Sequence, residues 1–125
     1  MQKIIFVGFG GFIGSVFRYL LSGFIQRISN QINFPIGTLS VNLIGCFIIG
    51  FLAGLSESRQ LFSENYRAFI FIGILGGFTT FSTFGYEVFS FMRDGQFLSS
   101  FTNIFLHLFF SILLVWFGFS LAKLI

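Results

Sequence analysis

The chain has 125 residues, of which 55% are hydrophobic and 9% charged, and a formal charge of +3. A soluble domain carries about 25% charged residues, so this chain has too few to coat a water-facing surface. The charge is small and scattered, so no nucleic acid partner is expected. The single cysteine, Cys46, has no intrachain partner for a disulfide and reads as an inert buried thiol.

A mean hydropathy of +0.94 points instead to a membrane interior. Four spans are predicted, at about Ile4 to Ile28, Thr38 to Leu55, Tyr66 to Met92 and Phe97 to Ala122. Each approaches or exceeds the roughly 20 residues that cross the hydrocarbon core. The connections contain QRISNQINFPIG, SESRQLFSEN and RDGQ, all polar and turn-like. Pro35 precedes the second span, where the start of a helix tolerates it. The first segment is too long and glycine-rich for a cleaved signal peptide. The expectation is one all-helical membrane domain covering 1–125, with lipid as its surroundings.

In the first span Gly11, Gly14, Ser15, Arg18 and Ser22 share a face. The pairs Gly10/Gly14 and Gly11/Ser15 have the spacing that lets membrane helices approach closely. Arg18 lies too deep to be a flanking charge; it either snorkels or faces a wet or anion-bearing region. The second span aligns Thr38, Asn42, Gly45 and Ile49. The Asn42 amide suits either an interhelical hydrogen bond or a hydrated ion.

The third span holds the most informative stretch, IGILGGFTTFSTFGYEVF, from Ile72 to Phe89. Two adjacent glycines followed by TTFST predict a broken helix, which membranes tolerate only where it is buried or lines a cavity. Thr80, Thr83 and Glu87 form a narrow arc bordered by Phe84 and Phe81, while Ser82 points away if the helix is regular after the break. Phenyl rings carry a positive edge, which can favour a small anion weakly enough to let it leave. Glu87 fits an anion route only if protonated or paired, and an acid inside a membrane marks a functional site. In the fourth span Asn103, His107, Ser111 and Gly118 form a stripe. His107 lacks metal-ligand companions, which leaves a packing histidine or a pore-lining donor.

The basic residues divide four to two between the ends: Lys3, Arg59, Arg67 and Lys123 against Arg27 and Arg93. So weak a bias permits insertion in both directions, and thus an antiparallel homodimer, as well as one mildly preferred topology.

GGFIGSVFRY, GTLSVNLIG and GILGGFTTFSTFGYE, in this order in a four-span chain, resemble the Fluc (CrcB) family of bacterial fluoride channels over essentially the whole length. The resemblance implies an antiparallel dual-topology homodimer of four-helix subunits with a break in the third helix. The implied activity is passive, selective fluoride conduction that lowers cytoplasmic fluoride, in a bacterial inner membrane and without enzymatic chemistry. By motif, Phe81 and Phe84 would line the route through ring edges, with Asn42 near the pore. Ser82, Thr83 and Glu87 would belong to a polar track, Arg18 to the aqueous vestibule, and His107 and Ser111 more softly to the pore-facing fourth helix. Gly76 and Thr79 would offer backbone carbonyls to a structural Na⁺ at the dimer twofold, and the symmetry implies two pores. Three rival readings are open. A proton-coupled exporter of the small multidrug type would use Glu87, an intramembrane serine hydrolase would pair Ser82 with His107, and an assembly protein would need only the glycines and phenylalanines.

Overall fold

The computed structural model describes residues 1–59 and 62–125. Among these residues every regular element is helical, and four helices are long and apolar enough to cross a membrane. Two of them, α1 (Gln2–Ile28) and α2 (Ile36–Arg59), are continuous. The third is composite: α3 (Glu64–Arg67), a π-helical stretch (Ala68–Leu75), α4 (Gly76–Phe78) and, beyond a break, α5 (Phe81–Arg93). The fourth is α6 (Phe97–Leu124). The predicted break thus falls at Thr79 and Thr80. Most helix ends extend past the apolar segments, because flanking Gln, Glu and Arg residues continue the backbone pattern into polar surroundings. The predicted link SESRQLFSEN shortens accordingly, and its residues 60 and 61 lie outside the described residues.

Lipid supplies little hydrophobic drive between helices, so close backbone packing must hold them together. Two seams do this. Along the first, α1 lies on the front half of the third span. A Cβ at Gly10 would come within 2.9 Å of Gly73 Cα, one at Gly77 within 2.6 Å of the Gly11 carbonyl, and one at Gly14 would strike the Ile74 carbonyl. The small-residue spacing in α1 is therefore answered by Gly73 and Gly77 across the seam. Along the second, α2 lies on α6: a Cβ at Gly54 would sit 2.8 Å from Ala122 Cβ, and Gly50 and Gly118 face the Val115 and Phe47 carbonyls.

The connections are held by local hydrogen bonds. Gln26 Nε2 donates to the Phe34 and Gln31 carbonyls, the former at 3.0 Å, and its Oε1 accepts the Gly37 N–H at 2.9 Å. The turn after α5 ends on Gly95 at φ +73°, with Gln96 N–H reaching the Phe91 carbonyl at 2.8 Å and Gly95 N–H reaching that of Met92 at 3.1 Å. This is a Schellman cap, which requires a residue at positive φ. At the opposite end Lys3 pairs with Glu64, and Lys123 with Glu57 at 3.6 Å. Those pairs are exposed and contribute little to stability.

Candidate functional site

The site is built around the break. Thr79 (φ −93°, ψ 158°) and Thr80 (φ −149°, ψ 117°) are both extended. In an unbroken helix the Thr80 N–H would pair with the Gly76 carbonyl, and the Thr83 N–H with that of Thr79. Instead, Thr80 N–H donates to Asn42 Oδ1 at 2.8 Å, and Thr83 N–H to Thr80 Oγ1 at 3.3 Å. The Gly76 and Thr79 carbonyls are thereby released from their helical donors.

Asn42 completes the exchange by donating its Nδ2 to the Thr80 carbonyl at 3.0 Å. One amide side chain thus stands in for a peptide partner, satisfying both backbone groups of the residue that leaves the helix. Of the two uses left open for Asn42, the interhelical hydrogen bond is the one made within the chain, and its partner is backbone. Arg18 Nη1 donates to the Thr79 carbonyl at 3.2 Å, so its depth in α1 places it beside the break. Gly76 is not crowded by its own chain: the nearest atom to a Cβ there is the Phe71 carbonyl oxygen at 3.8 Å.

The break also brings Ser82 to its neighbours. Thr80 is the N-cap of α5, and its Oγ1 lies 3.3 Å from Ser82 Oγ while donating to Thr83 Oγ1 at 3.0 Å. An extended N-cap residue projects its side chain over the first helical turn, so three hydroxyls cluster where a regular helix would splay them.

Phe81 and Phe84 are 5.5 Å apart between ring centroids at 56°, but their surroundings differ. Phe81 is 79% exposed and projects away from its own chain, whereas Phe84 is 7% exposed. The Phe84 ring lies 4.3 Å from that of His107. Both phenyl rings border a cavity of about 370 Å³ shared with Asn42, Gly76, His107 and Ser111.

Glu87 lies on the wall of a vestibule of about 640 Å³, together with Ser22, Gln26, Thr38, Ser90 and Asp94. Its Oε1 accepts the Thr38 hydroxyl at 2.5 Å. A third cavity, of about 200 Å³, is bordered by Arg18, Ser22, Thr38, Thr80 and Thr83. Thr38 lines both the vestibule and this small cavity, and Thr80 lines the small cavity and the aromatic one. These two threonines join the site; in the sequence they fall on polar stripes that carry no assigned role. For Thr38 the available signal was its position one turn before Asn42.

Asn103 also belongs to the site. It is fully buried on α6, beside the Glu87 carboxylate but short of hydrogen-bonding geometry. His107, one turn later, directs Nδ1 to the Asn103 carbonyl at 3.1 Å. Four buried polar atoms in this region, Glu87 Oε2, Asn103 Nδ2 and Oδ1, and His107 Nε2, have no hydrogen-bond partner among the described residues. Buried polar atoms need a partner, so the arrangement offers a row of hydrogen-bonding positions to water or a small ion.

Thr38→Val is expected to leave Glu87 Oε1 without its donor at a cost of about 1–3 kcal/mol, while Thr38→Ser retains the bond. Thermal unfolding in detergent checks this; equal midpoints for Val and Ser would show that the hydroxyl contributes nothing.

The profile of the family described as CrcB-like protein, Camphor Resistance (CrcB), matches residues 5–119. The chain belongs to this family. Among its curated relatives, fluoride-specific ion channel FluC 3 of Methanosarcina barkeri is 44% identical over 122 residues, covering 98% of this chain and 91% of the relative. Fluoride-specific ion channel FluC of Campylobacter fetus subsp. fetus is 42% identical over 120 residues, covering 96% and 93%. Its namesake from Geotalea daltonii is 40% identical over 125 residues, the full length of both chains. As a CrcB protein with four spanning helices, this is a multi-pass membrane protein.

Proposed function

We propose that this protein is a fluoride-selective channel through which fluoride leaves the cytoplasm down its electrochemical gradient. The observation that carries the reading is the extended Thr79–Thr80 break, flanked by the Phe81 and Phe84 rings and by a cluster of three hydroxyls. A route for fluoride must replace part of its hydration shell without holding the ion tightly. Hydroxyls, amide N–H groups and phenyl edges are weak donors of that kind, and none carries a full positive charge. The polar row from Glu87 through Asn103, His107 and Ser111 extends this chemistry between the vestibule and the aromatic cavity. Thr38 holds one oxygen of Glu87, which moderates the repulsion a free carboxylate would exert on an anion.

The working unit in this reading is an antiparallel homodimer with two symmetry-related pores. The exposed Phe81 ring supports it, since an aromatic group of the route that projects away from its own subunit needs another copy to enclose it. A structural Na⁺ at the twofold would be held by the Gly76 and Thr79 carbonyls. The residues fit that role: both carbonyls have lost their helical donors, Gly76 presents an uncrowded face, and two subunits would supply four hard, neutral oxygens suited to such a cation.

Fluoride efflux from liposomes containing the purified protein, read with a fluoride electrode beside a parallel chloride measurement, tests the function. Fast fluoride efflux with negligible chloride leak is the expected result. Phe81→Ile and Phe84→Ile should each lower the flux roughly tenfold with the dimer intact, the loss corresponding to about 1.4 kcal/mol of ring interaction. Wild-type flux in both variants would remove the ring-edge mechanism. No flux from folded wild-type dimer would sink the channel reading and favour the proton-coupled exporter built on Glu87.

A further inference from the structure

Arg18 presents its charge to the same carbonyl oxygen that the proposed sodium site uses. Its Nη1 lies 3.2 Å from the Thr79 oxygen, across the seam between α1 and the third span. Among the described residues no carboxylate pairs with Arg18: the ion pairs involve Lys3, Arg93 and Lys123, and Glu87 is turned to Thr38. The guanidinium is therefore an uncompensated cation resting on the dipole of the break. Gly76 and Thr79 contribute only neutral carbonyls, so these two groups bring no negative charge to screen one positive charge from another.

Arg18 also borders the cavity of about 200 Å³ formed with Ser15, Ser22, Thr38, Thr80 and Thr83. Hydroxyl oxygens accept hydrogen bonds, so a guanidinium turned into this cavity would meet a second set of partners. Two positions are thus open to one charged group: on Thr79, or among the hydroxyls.

We infer that Arg18 is an internal competitor of the structural cation: its guanidinium and the ion contend for the Thr79 carbonyl, and where the ion takes that oxygen the head group turns into the hydroxyl-lined cavity. The inference rests on the reading of Gly76 and Thr79 as a sodium site. It has two consequences. The Arg18 charge lowers the affinity of the break for Na⁺, and by linkage an occupied site places the positive charge in the cavity beside Thr83, where an anion is drawn in. In this chain the structural ion and the approach of the anion are coupled through one side chain.

The experiment compares wild type with Arg18→Gln and with Arg27→Gln, an exposed arginine at the end of α1. Each is purified throughout in N-methylglucamine chloride and then titrated with NaCl at constant ionic strength while the unfolding midpoint is recorded. Arg18→Gln should unfold at lower temperature than wild type without Na⁺, since the break loses its donor. It should recover at a Na⁺ concentration at least about tenfold below the wild-type half-saturation point. Arg27→Gln should follow wild type. If Arg18→Gln does not fold, Arg18→Met, which retains the aliphatic stem, serves in its place. An unchanged or raised half-saturation point in the Arg18 variant, with a normal wild-type titration, overturns the competition alone. No response to Na⁺ in any of the proteins overturns the sodium site and the competition together.

Discussion

Replacing Asn42 by alanine is expected to destabilise the protein more than any other single change at the site. Asn42 accepts the Thr80 N–H at 2.8 Å and donates to the Thr80 carbonyl at 3.0 Å. Alanine would remove the protein partner of both groups within a membrane-spanning segment. Each unsatisfied group costs about 1–3 kcal/mol, so the pair costs about 2–6 kcal/mol. Rejoining α4 and α5 as a continuous helix would restore partners to these groups, but it would reclaim the Gly76 and Thr79 carbonyls and dismantle the site. Asn42→Asp separates the two bonds. An ionised aspartate still accepts the Thr80 N–H but has no proton for the Thr80 carbonyl, and it adds a negative charge beside the anion route. It should therefore fold better than alanine yet conduct no better. Unfolding midpoints and fluoride efflux on the three proteins decide this, and wild-type stability in Asn42→Ala would show that the break holds without its clamp.

Gly14→Ala should open the seam between α1 and the third span. Its Cβ would be driven into the carbonyl of Ile74, a backbone atom that cannot rotate away. Inserting a methyl group into a packed interior costs about 1–3 kcal/mol where side chains can adjust, and a rigid backbone neighbour puts the expected loss at the upper end. The consequence extends to function, because α1 also carries Arg18 to the Thr79 carbonyl; separating the helices by even a fraction of an ångström lengthens that contact. Gly23→Ala is the matched control, since a Cβ there meets nothing within 4 Å. Gly14→Ala should lower both the unfolding midpoint and the flux while Gly23→Ala changes neither. Equal behaviour of the two variants would mean that the seam tolerates a methyl group and that close approach is not what Gly14 supplies.

Much of this arrangement was legible in the amino-acid order. Composition put the chain in a membrane, and four long apolar segments are a one-dimensional property that hydropathy reads directly. The break was legible because Gly76 and Gly77 followed by two threonines weaken the helix where lipid offers no alternative partner. The small residues of α1 announced a close contact by spacing alone.

What could not be read was who answers whom. Asn42 and Thr80 are 38 positions apart, Thr38 and Glu87 49, and Arg18 and Thr79 61. Each pairing follows from how the helices are docked, not from any local pattern. Ser82 shows the same limit at short range: helical geometry turns it away from Thr83, and only the extended backbone at Thr80 joins their hydroxyls. By itself the sequence determined the solvent, the number of spans and the location of the weak point. Tertiary structure alone decided that Asn42 satisfies the weak point, that Arg18 is aimed at it, and that Phe84 is buried against His107 while Phe81 faces outward. The physical reason is that hydropathy and propensity act along the chain, whereas hydrogen-bond partners in lipid are found across it.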